Sequence, residues 1–403
     1  MDWQTLSDKL KSLGMQLGKE QQIHPPQSTA YPIETVVNGD VKRSIYGEVF
    51  FTSQEYPLNH LHGTSTLKKP SSIDMLSVWA KVPQIHDTHL ENIVFLDIET
   101  TGLTGGTGTL AFMIGVGRFT QDGFLLNQYF LRHPGEEPAL LAALSQFLEP
   151  LAAVCTYNGK TFDIPLLNTR YIMQTMGSPF PGIPHFDLLA LSRRLWRDRL
   201  VSCTLGNIEQ QILGVQRDAR EVPGYLIPEM YTEYLRGGDA RPMKGIFYHN
   251  AIDIVSLAAL FIHAADLLSK PLHQQLLDGT DLASIGRLFQ SLGYEEQATA
   301  IFKESIQHEL PESIYLQTLL RYASIFKHHG NNSEALLLWR KAADQGDVKS
   351  CEELAKYYEH RVKDHTQALA WTLRGITNCK GDPTWMESLA HRQHRLQRKL
   401  EAD

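Results

Sequence analysis

The chain has 403 residues, 42% of them apolar and 21% charged, with a net charge of −7 at neutral pH. That length exceeds one hydrophobic core and implies two or three domains of ordinary globular composition. The absence of an unbroken run of eighteen apolar residues argues against a membrane span, and the scattered cysteines Cys155, Cys203, Cys351 and Cys379 argue against a disulfide framework or a cysteine zinc site and fit a reducing cytoplasm.

Residues 1–43 read as an arm. It opens with an amphipathic helix, MDWQTLSDKLKSLGMQL, which lacks a small-residue cleavage site and is no secretory signal. A polar, proline-containing stretch follows, of a composition that favours disorder. Residues 44–90 carry short apolar runs such as SIYGEVFFTS and are expected to pack as an extension on the next domain.

From residue 91 to 270 the pattern is mixed α/β. ENIVFLDIE, TLAFMIGVGRF and GFLLNQYFLR read as three consecutive strands, an antiparallel meander punctuated by TQDG. EEPALLAALSQFLEPL has helical spacing with acidic residues in its first turn. LAAVCTYNG is a further strand that runs into the helix KTFDIPLLNTRYIMQTM. This alternation predicts a layered α/β domain. Residues 275–403 are helical throughout. GYEEQATAIFKESI, NNSEALLLWRKAADQG and DHTQALAWTLRGIT align on Ala298, Ala335 and Ala368, and Phe302 and Trp339 follow the first two alanines by four residues. The spacing brackets the roughly 34-residue tetratricopeptide period and predicts stacked helical hairpins.

Candidate chemistry lies in three separated carboxylate motifs. Asp97 and Glu99 alternate at a strand end, so both side chains leave the same face. A glycine- and threonine-rich turn, TTGLTGGTGTL, follows and lets a ligand approach the backbone. Asp163 opens a helix after Asn158-Gly159, where capping would also explain it. Asp253 interrupts the otherwise apolar helix YHNAIDIVSLAALFIHAADLL, where an unpaired inward-facing carboxylate would be costly. Carboxylates of this kind can hold two divalent metal ions for phosphodiester hydrolysis, and oxygen donors suit Mg²⁺ or Mn²⁺ better than zinc.

FLDIETTGL, YNGKTFDIPLL and YHNAIDIVSL, in that order, resemble the three exonuclease motifs of DnaQ-like DEDD nucleases. The match is particularly close to YprB-type (MrfB-like) ribonuclease H-like 3′–5′ exonucleases, which also carry tetratricopeptide-like helices after the nuclease. The resemblance implies an α/β ribonuclease H-like exonuclease domain followed by an all-α tetratricopeptide-like helical repeat domain. It makes Asp97, Glu99, Asp163 and Asp253 the catalytic and metal-binding set. It also implies action on nucleic acid, DNA with a free 3′ end in a repair setting, beside a helicase or another protein partner held by the repeats. The family places its general base as His five residues, or Tyr four residues, before the last Asp. Here the two are crossed: Tyr248 is five before Asp253 and His249 four before. His249 is favoured, because i and i+4 share a helix face and imidazole accepts protons near neutral pH; Tyr248 is the alternative.

Thr100 and Asn158 are candidates for hydrogen bonds to the substrate. Arg193, Arg194 and Arg197, in SRRLWRDRL around Trp196, are candidates for phosphate contacts beside a stacking ring, and the basic HRQHRLQRKL is a second patch. Asp187 is either a further acid or a helix cap. The net negative charge does not weigh against nucleic acid, since the placement of positive charge decides binding. A competing reading is a catalytically weak nucleic-acid-binding or scaffold protein acting through its helical repeats.

Overall fold

The computed structural model describes residues 31–82, 87–102, 108–272 and 278–402. The N-terminal amphipathic helix and the middle of the turn after Thr100 lie outside the described residues. A seven-stranded sheet dominates the first half. Its strands are β1 (Asp40–Ser44), β2 (Gly47–Pro57), β5 (Ile93–Thr100), β6 (Ala111–Phe119), β7 (Gly123–Phe130), β8 (Ala153–Thr156) and β9 (His185–Asp187), in the order β1-β2-β7-β6-β5-β8-β9. A separate two-stranded ladder joins β3 (Leu61–His62) to β4 (Ser65–Thr66). The meander read from the sequence is present as β5, β6 and β7, all antiparallel. β8 and β9 extend it in parallel, as a strand–helix–strand connection requires. Residues 40–57, set by the sequence reading partly in an arm and partly in an extension, supply β1 and β2 of the sheet itself, with Phe50 paired to Phe130 and Pro57 to Gly123.

The helix Met243–Ser269 crosses the sheet and positions the site. Met243, Ile246 and Phe247 belong to the apolar cluster on one side, with Tyr231, Phe112 and Leu167. From Ile254 onward the helix belongs to the other cluster, with Phe95, Phe119 and Phe261. The polar residues His249, Asn250 and Asp253 fall at the changeover. Close approach of this helix to β6 depends on two glycines: a Cβ at Gly115 would lie 2.2 Å from Asn250 Oδ1, and one at Gly117 would lie 2.8 Å from Ile254 Cγ2. By length and composition this helix could cross a membrane, although polar residues interrupt its apolar run; most of it is buried within the fold.

Residues 279–402 form consecutive helices packed on one another, beginning with Gly279–Ser291, Glu295–Ser305 and Glu312–His328. Ala298, Ala335 and Ala368 are all fully buried, as small residues at helix contacts must be. The core does not stop at the domain boundary. Leu191 and Leu195 of the helix Leu188–Trp196 share a cluster with Leu282, Ile285 and Leu288 of the first C-terminal helix.

The basic C-terminus is largely consumed by an internal ion cluster. Arg392, Arg395 and Lys399 reach the fully buried Glu359 at 2.7, 2.8 and 2.9 Å. Burial raises the proton affinity of Glu359, but hydrogen bonds from Arg395 and Lys399 outweigh it and hold the carboxyl at about 2. A depressed carboxyl pKa stabilises the fold above the ordinary carboxylate range, and that stability is lost as pH falls toward about 2. Glu359→Gln is expected to destabilise the last helices by about 3 kcal/mol, the low end for an unpaired buried cluster because two of the cations keep partial contact with water. Denaturant melts at pH 7 and pH 3 check this: the penalty shrinks at the lower pH.

Candidate active site

β5 places Asp97 and Glu99 on one face, and the register opposes Asp97 to Gly115 and Glu99 to Met113. A register shift between Glu99 and Thr100 skips Phe112, so that Thr100 pairs with Ala111. Asp163 is the first residue of the helix Asp163–Met173 and only 7% exposed. Its carboxylate lies over Gly159, where a Cβ would sit 2.7 Å from Oδ2. Asp187 fixes that approach from behind. It accepts hydrogen bonds from the amides of Asn158 and Lys160 at 3.0 and 3.3 Å and caps the next helix through the amide of Leu189 at 3.1 Å. Asp187 is therefore a cap and clamp for the turn that carries Asp163.

Asp253 closes the group from the long helix. With His249 four residues earlier, it faces the β5 carboxylates: His249 Nε2 lies 3.5 Å from Asp253 Oδ2 and 3.9 Å from Glu99 Oε1. The structure thus brings Asp97, Glu99, Asp163, Asp253 and His249 into one cavity from three elements. Burial and mutual repulsion push the carboxyls of Asp97 and Glu99 well above their ordinary range, with Asp253 the leading charged neighbour of each. Burial pushes Asp163 up to about 7 against the pull of backbone hydrogen bonds, one from Ile98. A cluster that repels itself in this way, lined by oxygen donors, fits divalent cations.

Several contributors were not foreseen from the sequence. Asn250, fully buried, donates to Asp97 Oδ2 at 3.0 Å and accepts from Gln128 Nε2 at 2.9 Å; Gln128 in turn accepts from Thr52 at 3.1 Å. Asp97 is therefore held by a buried amide relay that starts at β2. Arg217, from the loop after Leu213, pairs with Asp253 and with Glu209, and reaches Glu221 at 2.9 Å. These carboxylates raise the Arg217 pKa despite its burial. Glu221 Oε1 lies 2.6 Å from His249 Nδ1. A proton on Nδ1 serving that bond leaves Nε2 as the acceptor on the cavity side. Asn250 sits inside the YHNAID motif, but Arg217 and Glu221 lie in a loop with no periodic signal.

Tyr248 turns away from the carboxylates. Its hydroxyl accepts from the amide of Asp218 at 3.1 Å, and Arg220 stacks 4.3 Å from its ring centre. Thr100 is buried and donates to the carbonyl of Gly102 at 2.8 Å; Asn158 is exposed and accepts from Thr161 at 3.1 Å. Arg193 and Arg194 are exposed on the helix Leu188–Trp196, and Arg197 is exposed just past its end. The ring expected to stack among them is not available: Trp196 is 1% exposed, buried with Leu188, Leu191 and Leu195 on the inner helix face.

Residues 94–265 match the model of the RNase_H superfamily. Residues 94–265 form an RNase_H-superfamily domain. The match spans the sheet from β5 onward and most of the long helix, and so contains all five residues of the cavity. The chain is also similar to the uncharacterized protein YprB of Bacillus subtilis (strain 168), at 29% identity over 357 residues, covering 86% of this chain and 84% of that protein. The likeness extends past the RNase_H-superfamily domain into the C-terminal helices. A domain of this superfamily implies a nucleic-acid substrate, and its nucleases generally use divalent metals.

Proposed function

We propose that the protein is a 3′–5′ exonuclease that hydrolyses phosphodiester bonds of DNA from a free 3′ end, in a repair setting. Asp97, Glu99, Asp163 and Asp253 would hold two divalent cations, Mg²⁺ or Mn²⁺. The observation that supports this reading best is the convergence of four carboxylates with the Nε2 face of His249. Bound cations supply acidity to a water and neutralise charge on the phosphodiester. The protein's own groups then have distinct tasks. His249 Nε2 accepts the proton of the attacking water while Glu221 holds the ring by Nδ1. Asn250 fixes the rotamer of Asp97. The water oxygen bonds to phosphorus, the bond to the 3′-oxygen of the preceding nucleotide breaks, that oxygen takes a proton from solvent to become the new 3′-hydroxyl, and a nucleoside 5′-monophosphate leaves.

Strands labelled at the 5′ end, offered as single-stranded, nicked and flapped DNA and as RNA with Mn²⁺, test the reading. A ladder that shortens from the 3′ end on DNA is expected. Internal cuts, shortening from the 5′ end or no product at all would remove it. Because the cavity repels itself, Mn²⁺ is also expected to raise the melting temperature of the nucleic-acid-free protein. At a hundredfold excess over Kd the gain is about 2.7 kcal/mol. A melting curve insensitive to Mn²⁺ would show that these carboxylates hold no cation.

A further inference from the structure

Beyond the cavity, positive charge collects where the RNase_H-superfamily domain meets the first C-terminal helices. Arg194 Nη2 donates to Ser291 Oγ at 2.7 Å, and Arg321 Nη1 donates to Gln290 Oε1 at 3.1 Å. Two guanidiniums, one from each half of the molecule, are thereby held on adjacent residues at the end of the helix Gly279–Ser291. Both side chains are exposed. Partial desolvation and then the neighbouring cations Arg287 and Arg194 lower the pKa of Arg321, which places all three within electrostatic reach of one another. The seam is also fixed in place. Arg199 binds Asp281 through two bonds of 2.9 and 2.8 Å, and Arg287 pairs with Asp198 across the same boundary. Asp198 and Asp281 are consumed in those pairs, while Arg194 and Arg321 face neutral partners.

The helix Leu188–Trp196 connects this seam to the cavity. Its N-terminus is capped by Asp187, the residue that clamps the turn before Asp163. Its nine residues rise about 1.5 Å each, roughly 14 Å in all, the reach of a few nucleotides. We propose that the nucleic-acid strand leaves the carboxylate cavity along this helix and that Arg194 and Arg321 grip its phosphates at the seam, so that the C-terminal helices bind substrate directly. Arginines held by neutral side chains keep their charge available, and phosphate contacts of this kind bind without reading sequence. This inference rests on the nuclease reading only for the direction of the strand.

Full-length wild type and Arg321→Glu provide the test, with Arg43→Glu, on the far edge strand β1, as a control for net charge. Binding of a fluorescent 20-nucleotide single strand is measured by anisotropy from 50 to 300 mM salt, and turnover is measured on strands from 2 to 20 nucleotides. Arg321→Glu is expected to weaken 20-nucleotide binding about tenfold and to reduce the salt slope by about one. The fall in KM that wild type gains with increasing length should shrink in the variant, while Arg43→Glu keeps it. Unchanged affinity and slope would overturn the proposal. So would a preserved DNA affinity with lost binding of polyglutamate, which would assign the seam to an acidic protein. Wild type that binds the 20-mer through Arg321 yet cuts no strand of any length would sink the nuclease reading and leave the seam intact.

Discussion

Asp97→Asn is expected to abolish nucleotide release, a loss of at least about 10³-fold, while the fold survives. Cation-assisted phosphodiester hydrolysis draws several kcal/mol of transition-state stabilisation from the charge held in the site, and each 1.36 kcal/mol is about tenfold in rate. Asp97 faces Glu99, Asp163 and Asp253, all of which raise its proton affinity. Asparagine removes one of these mutually repelling charges and retains an oxygen for the amide of Asn250. The melting temperature without cations should therefore hold or rise, and the Mn²⁺-dependent increase should shrink. Asp253→Ala is the less clean variant, because Asp253 partners Arg217 and its loss leaves that guanidinium to Glu209 and Glu221. Retained cleavage in Asp97→Asn would remove Asp97 from the catalytic set; an unfolded variant would mean that the relay through Asn250 is structural above all.

What could be read from the sequence was what short-range pattern encodes. IVFL before Asp97 reads as a buried strand because it is one, with every residue from Ile93 to Leu96 inaccessible. Asp253 reads as inward-facing because apolar residues flank it on a helix that the sheet covers. β1 and β2 were less legible as sheet strands: β2 breaks alternation with three consecutive exposed polar residues, Ser53–Glu55, and its pairing with β7 joins residues more than 60 positions apart. Arg217 and Glu221 were illegible for a related reason. They reach Asp253 and His249 from an irregular loop, and nothing local marks a loop arginine as a partner of a distant helix. Trp196 carried a usable signal that basic neighbours concealed. Its spacing from Leu188, Leu191 and Leu195 follows one helix face, and that face is buried. The C-terminal cations hid a different fact, since Glu359, which neutralises three of them, lies more than 30 residues earlier.

His249→Ala is expected to lower turnover by about 10²–10⁴-fold, the usual contribution of a positioned general base, with KM and cation affinity nearly unchanged. The geometry separates it from Tyr248. His249 presents Nε2 to Asp253 and Glu99 at 3.5 and 3.9 Å, and Glu221 anchors the opposite ring nitrogen at 2.6 Å. A ring held by one nitrogen with the other facing the cavity can take a proton there without reorienting. The Tyr248 hydroxyl is engaged by the amide of Asp218, and its ring lies under Arg220, outside the carboxylate group. Tyr248→Phe deletes one hydrogen bond to an exposed loop, so a change of no more than a few fold is expected. Single-turnover rates on a 3′-labelled strand distinguish the two, because a lost base slows the chemical step and leaves substrate binding in place. An inactive Tyr248→Phe beside an active His249→Ala would reverse the assignment. It would also require the loop 217–221 to swing away during catalysis, since only then could the Tyr248 hydroxyl leave Asp218 and reach the carboxylates.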